Sequence, residues 1–397
     1  MKNSVFSLFI WVALSIWALF TTVPSATAQQ TTGYTSQVNQ VFGEKLTFSL
    51  TGMPSQAVQQ VQLVLRLPSE SILVVEMVPF TENNKRFSAK VDMEISRLEL
   101  LPFSVVEYYW QIQYVAGEKE NTPPTSYHYA DDRFTWQTVE RQQVRVHWYA
   151  GDLAYAEQVA QLSEQVIHEG KVEYGLDEIP VIEMYLYARQ GDLLNGWADA
   201  PAWVAGHASP AQNITRLAIP PGSGASLIMG ELVPHELTHW LVYQVPPVGY
   251  RDIPVWLNEG LAVLAQKQVS TQLLGTLQTA AEQNQLLSFE DLCTHLPQDE
   301  HLVQLAYAQS YSFVRYLAET YGREKLLNLL AAYKNGVHCT AGVQKIYQKD
   351  FTTLQADWLG SLVPQNFILA TLTTPYFWLA LLLLLLPPLV WVGARHK

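Results

Sequence analysis

Residues 235–239 read His-Glu-Leu-Thr-His, and twenty positions beyond the second histidine lies Glu259, inside Trp256-Leu257-Asn258-Glu259-Gly260-Leu261-Ala262. On a helix, positions i and i+4 lie about 40° apart around the axis and about 6 Å apart along it, so His235 and His239 aim two imidazoles at one point. Glu236 falls beside that face. It is close enough to hold a water on a metal and too constrained to join the ligands, which suits a general base. Glu259 is carried on a second amphipathic helix, with Leu257, Leu261, Ala262, Val263 and Ala265 as its apolar face. The intervening residues allow one helix to end, turn and be answered by the other. Two imidazoles and a carboxylate, with a fourth position left for water, are the donor set of a catalytic zinc site. We therefore expect one Zn2+ per chain on His235, His239 and Glu259, with Glu236 as the base.

Further along, the chain reads Tyr307-Ala308-Gln309-Ser310-Tyr311-Ser312-Phe313-Val314-Arg315-Tyr316-Leu317. With HELTH and WLNEGLA before it, this order resembles the gluzincins, zinc metallopeptidases whose third ligand is a glutamate on the helix after the HExxH helix. The likeness spans roughly residues 143–360 and points to the peptidase MA-like group. It implies the same three ligands and the same base, and it adds Tyr307 as the hydroxyl that hydrogen-bonds the tetrahedral oxyanion. Tyr311, one turn further on the same helix face, is the alternative for that role. The resemblance also implies that the strand just before the active-site helix, residues 215–219, is the sheet edge on which an extended peptide lies.

Two departures accompany it. Aminopeptidases of the aminopeptidase N type carry Gly-x-Met-Glu-Asn upstream of the motif, with a glutamate for the substrate's free amino group. Here that stretch reads Trp203-Val204-Ala205-Gly206-His207-Ala208-Ser209-Pro210, with no acidic anchor, and His207 reads as a solvated loop residue. Thermolysin-like enzymes place an aspartate four residues after the third ligand to orient a zinc histidine. Here that position is Val263, so the support has to come from elsewhere. Pro234, directly before His235, costs about 3 kcal/mol in a helix interior, so either a turn ends at 231–233 or the helix kinks there.

Ahead of this region the pattern has period two. Leu46, Phe48 and Leu50 alternate with polar residues, as do Val61, Leu63, Leu65 and Leu67, and Val106, Tyr108, Trp110, Ile112 and Tyr114 oppose Glu107, Gln111 and Gln113. These are half-buried strands, and their spacing suggests an immunoglobulin-like or fibronectin-like sandwich. From Val144 the texture changes to strand (Val144, Val146, Trp148), helix (154–168) and strand (181–187), with a further strand (214–219) before a helix starting near Ser226. The expected fold class is α+β: an N-terminal β-sandwich over residues 29–140, then a gluzincin-type metallopeptidase domain over 141–362 with a helical C-terminal half.

Both ends carry membrane signals. Lys2, an apolar run over 5–20 and Ala26-Thr27-Ala28 read as a secretory signal cleaved after residue 28. After a stalk at 363–375, residues 376–393 contain no charge and include six successive leucines, and Arg395-His396-Lys397 follow. Eighteen helical residues span about 27 Å, close to a hydrocarbon core, and the basic tail (394–397) stays in the cytoplasm. The expected localisation is the cell membrane, single-pass, with the catalytic domain on the extracytoplasmic side. A net charge of −12 without long charged blocks excludes nucleic acid as a partner. Cys293 and Cys339 are the two cysteines, and an exported domain makes a disulfide plausible. Asn213-Ile214-Thr215 matches a glycosylation acceptor, which matters only in a eukaryotic secretory pathway.

The function these features point to is a zinc metallopeptidase of the cell envelope acting on a peptide or protein substrate. Two other readings stay open: a surface adhesion or sensor protein on a catalytically retired scaffold, and a zinc amidase acting on a non-peptide envelope substrate. Oligomeric state has no signal in the sequence.

Overall fold

The structure, a computed structural model, describes residues 29–30, 33–67, 73–84, 86–197, 200–245 and 249–362. The expected signal, stalk, membrane helix and tail lie outside these residues. Among the described residues no helix is long and apolar enough to cross a membrane.

The first part of the chain forms strands β1 (Gln29–Gln30), β2 (Tyr34–Val41), β3 (Lys45–Gly52), β4 (Val58–Arg66), β5 (Leu73–Met77), β6 (Phe80–Asn83), β7 (Arg86–Glu94), β8 (Val105–Tyr114), β9 (Lys119–Asn121) and β10 (Thr125–His128), with a one-turn helix α1 (Ile95–Leu98) before β8. They make two antiparallel sheets, ordered β1-β2-β3-β7-β6 and β10-β8-β4-β5, with β9 paired to β8. The order β2-β3-β7-β6 facing β10-β8-β4-β5 is the one immunoglobulin-type sandwiches use. The alternation seen in the sequence has a physical outlet here: Leu46, Phe48 and Leu50 from one sheet and Leu63, Leu65, Trp110 and Ile112 from the other share one core, all but fully buried. The Trp110 indole N–H is satisfied across the core by Ser36 Oγ at 2.9 Å.

A third sheet follows: β11 (Gln137–Arg141), β12 (Val144–Trp148), β13 (Ile182–Tyr187), β14 (Gly206–Ser209) and β15 (Ile214–Ala218), in the order β11-β12-β13-β15-β14. β12, β13 and β15 run parallel, while the outer strands β11 and β14 are antiparallel to their neighbours. Between β12 and β13 runs α2 (Leu153–Tyr174), which opens on an Asp152 side chain accepting the Tyr155 N–H and closes on left-handed Gly175. A short helix α3 (Gln190–Leu194) follows β13, and α4 (Ala225–Gln244) follows β15. One face of the sheet packs Val144, Val146, Ile182, Met184, Leu186 and Leu217 against α2 and α4. The opposite face meets the N-terminal unit through Phe103, Phe134, Trp136, Tyr149, Tyr185 and Tyr187.

The remainder is helical: α5 (Val255–Leu264), α6 (Thr271–Glu282), α7 (Glu300–Tyr321), α8 (Arg323–Lys334), α9 (Cys339–Tyr347) and α10 (Phe351–Leu362). On α7, Val303, Ala306, Ser310, Phe313, Val314 and Leu317 recur at helical spacing and are buried. The helix starts on Asp299, whose carboxylate accepts two N–H groups, and stops at Gly322 with φ +88°. Trp256 stands in the middle of this core, with the rings of Phe289, Phe313, Tyr333 and Phe351 around it. Cys293 and Cys339 form a disulfide, Cα atoms 6.0 Å apart, tying the loop after α6 to the first residue of α9 across 46 positions. On the chain-entropy estimate such a closure stabilises by about 4 kcal/mol.

Candidate active site

His235 and His239 both project from α4, and their Nε2 atoms lie 3.3 Å apart. Glu259, on α5, brings its Oε2 to 3.5 Å from one and 3.6 Å from the other. A tetrahedral zinc with bonds of about 2.0–2.1 Å separates its ligand atoms by about 3.3–3.4 Å, so this near-equilateral triangle has the size such an ion requires. Glu259 Oε2 has no hydrogen-bond partner although it is buried. Burial works against its ionisation, yet His239 and His235 hold it well below the usual carboxylate range. Burial likewise opposes a charged His239, and Glu259 outweighs it, raising the imidazole to about 9. A buried carboxylate between two imidazoles is a place where a divalent cation does better than a proton.

The depth at which α5 presents Glu259 is set by the next residue. A Cβ on Gly260 would stand 2.6 Å from the Ser310 carbonyl oxygen and 2.4 Å from Val314 Cγ2, so only glycine lets α5 lie this close to α7. Pro234 is accommodated without ending α4. The Gly230 carbonyl, which a residue 234 N–H would ordinarily engage, accepts the Lys267 N–H at 3.1 Å instead. The loop after α5 thus closes the gap that the proline opens, one residue before the first histidine.

Val263 is buried in the core, and the polar side chains beside His235 and His239 are amides. The Gln266 side chain meets His235 Nδ1 at 3.2 Å. The atom in contact is the amide nitrogen Nε2; were His235 Nε2 on a metal, Nδ1 would carry the proton and the amide would have to turn its oxygen there instead. Asn258 lies near enough to His239 to favour the protonated ring, though neither His239 Nδ1 nor Asn258 Oδ1 has a hydrogen-bond partner, and it donates its Nδ2 to the Tyr250 hydroxyl at 3.3 Å. Asn258 adjoins Glu259 within the WLNEGLA segment, so its role was within reach of the sequence. Gln266 has no such signal, because its contact arises where the chain leaves α5.

Glu236 is 6% exposed and faces the strand β14. Ala208 of that strand donates its N–H to the carboxylate, and a Cβ on Gly206 would sit 2.6 Å from Glu236 Oε1. Burial raises the Glu236 pKa, with the two histidines pulling the other way, as would suit a general base. Tyr307 of α7 stands edge-on to His235, ring centroids 6.0 Å apart, and against Trp203. Its hydroxyl stays protonated: burial, then the nearby Glu259 and Glu236 charges, push its pKa well up. Tyr311, by contrast, is buried in the helical core, where Arg315 donates to its hydroxyl at 3.2 Å.

Two expectations are corrected here. The stretch 215–219 is not the sheet edge: β15 is flanked by β13 and β14, and the edge beside the ligand helix is β14, Gly206–Ser209. A segment of four residues that opens on a glycine and is followed by a proline carries no alternation to reveal a strand, and only pairing with β15 makes it one. His207 is consequently no solvated loop residue. It lies on β14, half-buried, its ring 4.7 Å from that of Trp197, and burial followed by Arg216 lowers its pKa to about 3.

No curated protein matches the chain. Among solved structures, an aminopeptidase N family protein from Idiomarina loihiensis is similar at 10% identity and a TM-score of 0.38, over 80% of this chain and 74% of that one. A Br derivative of BhCBM56 is similar at 17% identity and a TM-score of 0.19, over 26% of this chain and 99% of that one. The model of the Peptidase MA superfamily matches residues 164–364, which takes in α4, α5, α7 and every residue of the His235, His239 and Glu259 triangle. With just over half of its length matched, the chain belongs to the Peptidase MA superfamily.

Proposed function

We propose that this protein is a zinc metallopeptidase of the cell envelope, cleaving peptide bonds with His235, His239 and Glu259 as ligands, Glu236 as general base and Tyr307 as oxyanion donor. The observation that carries the reading is the triangle of donor atoms 3.3 to 3.6 Å apart with a buried carboxylate, Glu236, at its flank. A superfamily that is typically zinc-dependent supports it. Zinc held there would lower the pKa of a coordinated water towards 7 and polarise the scissile carbonyl.

The rest of the chemistry belongs to the chain. Glu236 takes the proton of the attacking water on its carboxylate and returns it to the leaving amine nitrogen. Tyr307, kept protonated, donates its hydroxyl hydrogen to the carbonyl oxygen as negative charge builds there. Apart from the Ala208 N–H, which Glu236 accepts, the outer edge of β14 offers main-chain groups to an extended peptide, a mode of binding that does not select side chains. In the same reading, residues 1–28 export the body and residues 376–393 anchor it with the catalytic part outside.

The test is a purified full-length chain assayed for zinc and for cleavage of a random peptide library. Glu236→Gln keeps shape and hydrogen bonding but removes the proton acceptor. It is expected to bind zinc like the wild type and to lose about 10² to 10⁴ in turnover, the range general acid–base catalysis supplies. Full activity in that variant refutes the role given to Glu236, and a zinc-loaded wild type with no turnover on any peptide refutes the peptidase.

A further inference from the structure

Arg216, at the centre of β15, is fully buried, and among the described residues no carboxylate pairs with it. Its Nε donates to the Pro102 carbonyl at 2.6 Å and its Nη1 to Ser209 Oγ at 2.8 Å, while Nη2 has no acceptor. Burial lowers its pKa only to about 10, so it remains a cation at neutral pH. A buried charge on two neutral acceptors is expensive compared with an apolar side chain of similar volume. What the guanidinium contributes is geometry, because its two bonds end on parts of the chain far apart in sequence. Pro102 lies in the N-terminal unit, just after α1, and Ser209 is the last residue of β14.

Other contacts close around the same joint. Phe103 stacks on Tyr185, ring centroids 3.4 Å apart, and Tyr185 and His207 are the cross-strand neighbours of Arg216 on either side. Gln212, in the turn between β14 and β15, accepts the Val105 N–H at 3.3 Å. Asn213 at the end of that turn is held from the opposite side by the Trp240 indole of α4 at 3.0 Å. Strand β14 therefore has Glu236 against one side, through Gly206 and Ala208, and the N-terminal unit bolted behind it through Arg216.

We propose that Arg216 is a positioning residue for substrate: by joining Pro102 to Ser209 it fixes the depth and register of β14, which makes the N-terminal two-sheet unit a working part of the peptide-binding wall. The proposal rests on the peptidase reading of the site, and one of its two measurements is independent of that reading.

Full-length, zinc-loaded Arg216→Met, Arg216→Lys and Ser209→Ala are compared with wild type by hydrogen exchange over residues 206–209 and by KM and kcat on fluorescein-labelled casein. For Arg216→Met the expectation is about tenfold faster exchange in that segment and a KM raised about tenfold, with kcat changed by less than about threefold, the size of losing hydrogen bonds from a charged donor. Ser209→Ala is expected to move both readouts the same way by less. Arg216→Lys should recover part of each, since an ammonium reaches one of the two acceptors. A folded Arg216→Met with wild-type exchange over 206–209, or one in which kcat falls while KM stays, overturns the proposal. Should Arg216→Met not fold, Ser209→Ala decides alone, and unchanged exchange in it counts against the clamp. Failure of the wild type to cleave casein bears on the peptidase reading, and the exchange measurement still judges the clamp.

Discussion

On the helical wall of the site, the side chains of His235, His239, Glu259 and Tyr307 project from α4, α5 and α7, held by close apolar contact such as that of Gly260 with Val314. On the strand wall, β14 is held by directional polar bonds: Ala208 to Glu236 in front, Ser209 to a buried Arg216 behind. Close packing resists displacement in every direction and tolerates little change of volume. A few buried hydrogen bonds set register while leaving a strand edge free to pair with something else. The contrast suits the proposed chemistry: metal ligands would need fixed distances, and a peptide of varied sequence would need an accessible main-chain edge.

The comparison can be broken by substitutions that are alike on paper. The largest expected effect is on the helical wall, where Tyr307→Phe keeps zinc and loses about 10² to 10³ in kcat if its hydroxyl meets the oxyanion. Tyr311→Phe, whose hydroxyl is occupied by Arg315, should stay near wild type. A crippled Tyr311→Phe beside a normal Tyr307→Phe would reverse the assignment.

Next comes a matched pair of glycines. Gly260→Ala forces a methyl to within 2.6 Å of the Ser310 carbonyl oxygen, so α5 and α7 must part. We expect a loss of about 1–3 kcal/mol, read from thermal or denaturant melts, with weaker zinc binding alongside it. Gly206→Ala brings its methyl to within 2.6 Å of Glu236 Oε1, the end of a side chain that can turn. Stability is expected to change by less than about 1 kcal/mol, while kcat falls about tenfold as the carboxylate leaves its place. Equal losses of stability in the two variants would erase the distinction between the walls.

How much of this is legible in the sequence follows the same division. The juxtaposition of His235, His239 and Glu259 with Glu236 beside them and the amphipathic helices follow local patterns of period 3.6, and the N-terminal strands follow local patterns of period two. His235, Glu259, the alternation of Leu46, Phe48 and Leu50, and the α+β order can therefore all be read directly. The identity of the edge strand cannot. Residues 214–218 look more like a strand than 206–209 do, and which of them is outermost is decided by pairing with β13, a contact no local window contains. Arg216 escapes notice for a related reason: a charge inside an otherwise apolar strand, Ile214-Thr215-Arg216-Leu217-Ala218, declares nothing until the N-terminal unit is seen covering it. Gln266 is hidden because the loop that carries it is shaped by Pro234, a residue of the preceding ligand helix, whose missing N–H that loop makes good.

The claim on which everything else depends is that His235, His239 and Glu259 hold one metal ion. Zinc measured per chain in the purified full-length protein, alongside the His235→Ala/His239→Ala double variant at matched concentration, tests it most directly. The account predicts about one zinc per chain in the wild type and almost none in the double variant, since one carboxylate cannot hold the ion alone. Stoichiometric zinc retained by the double variant would contradict it.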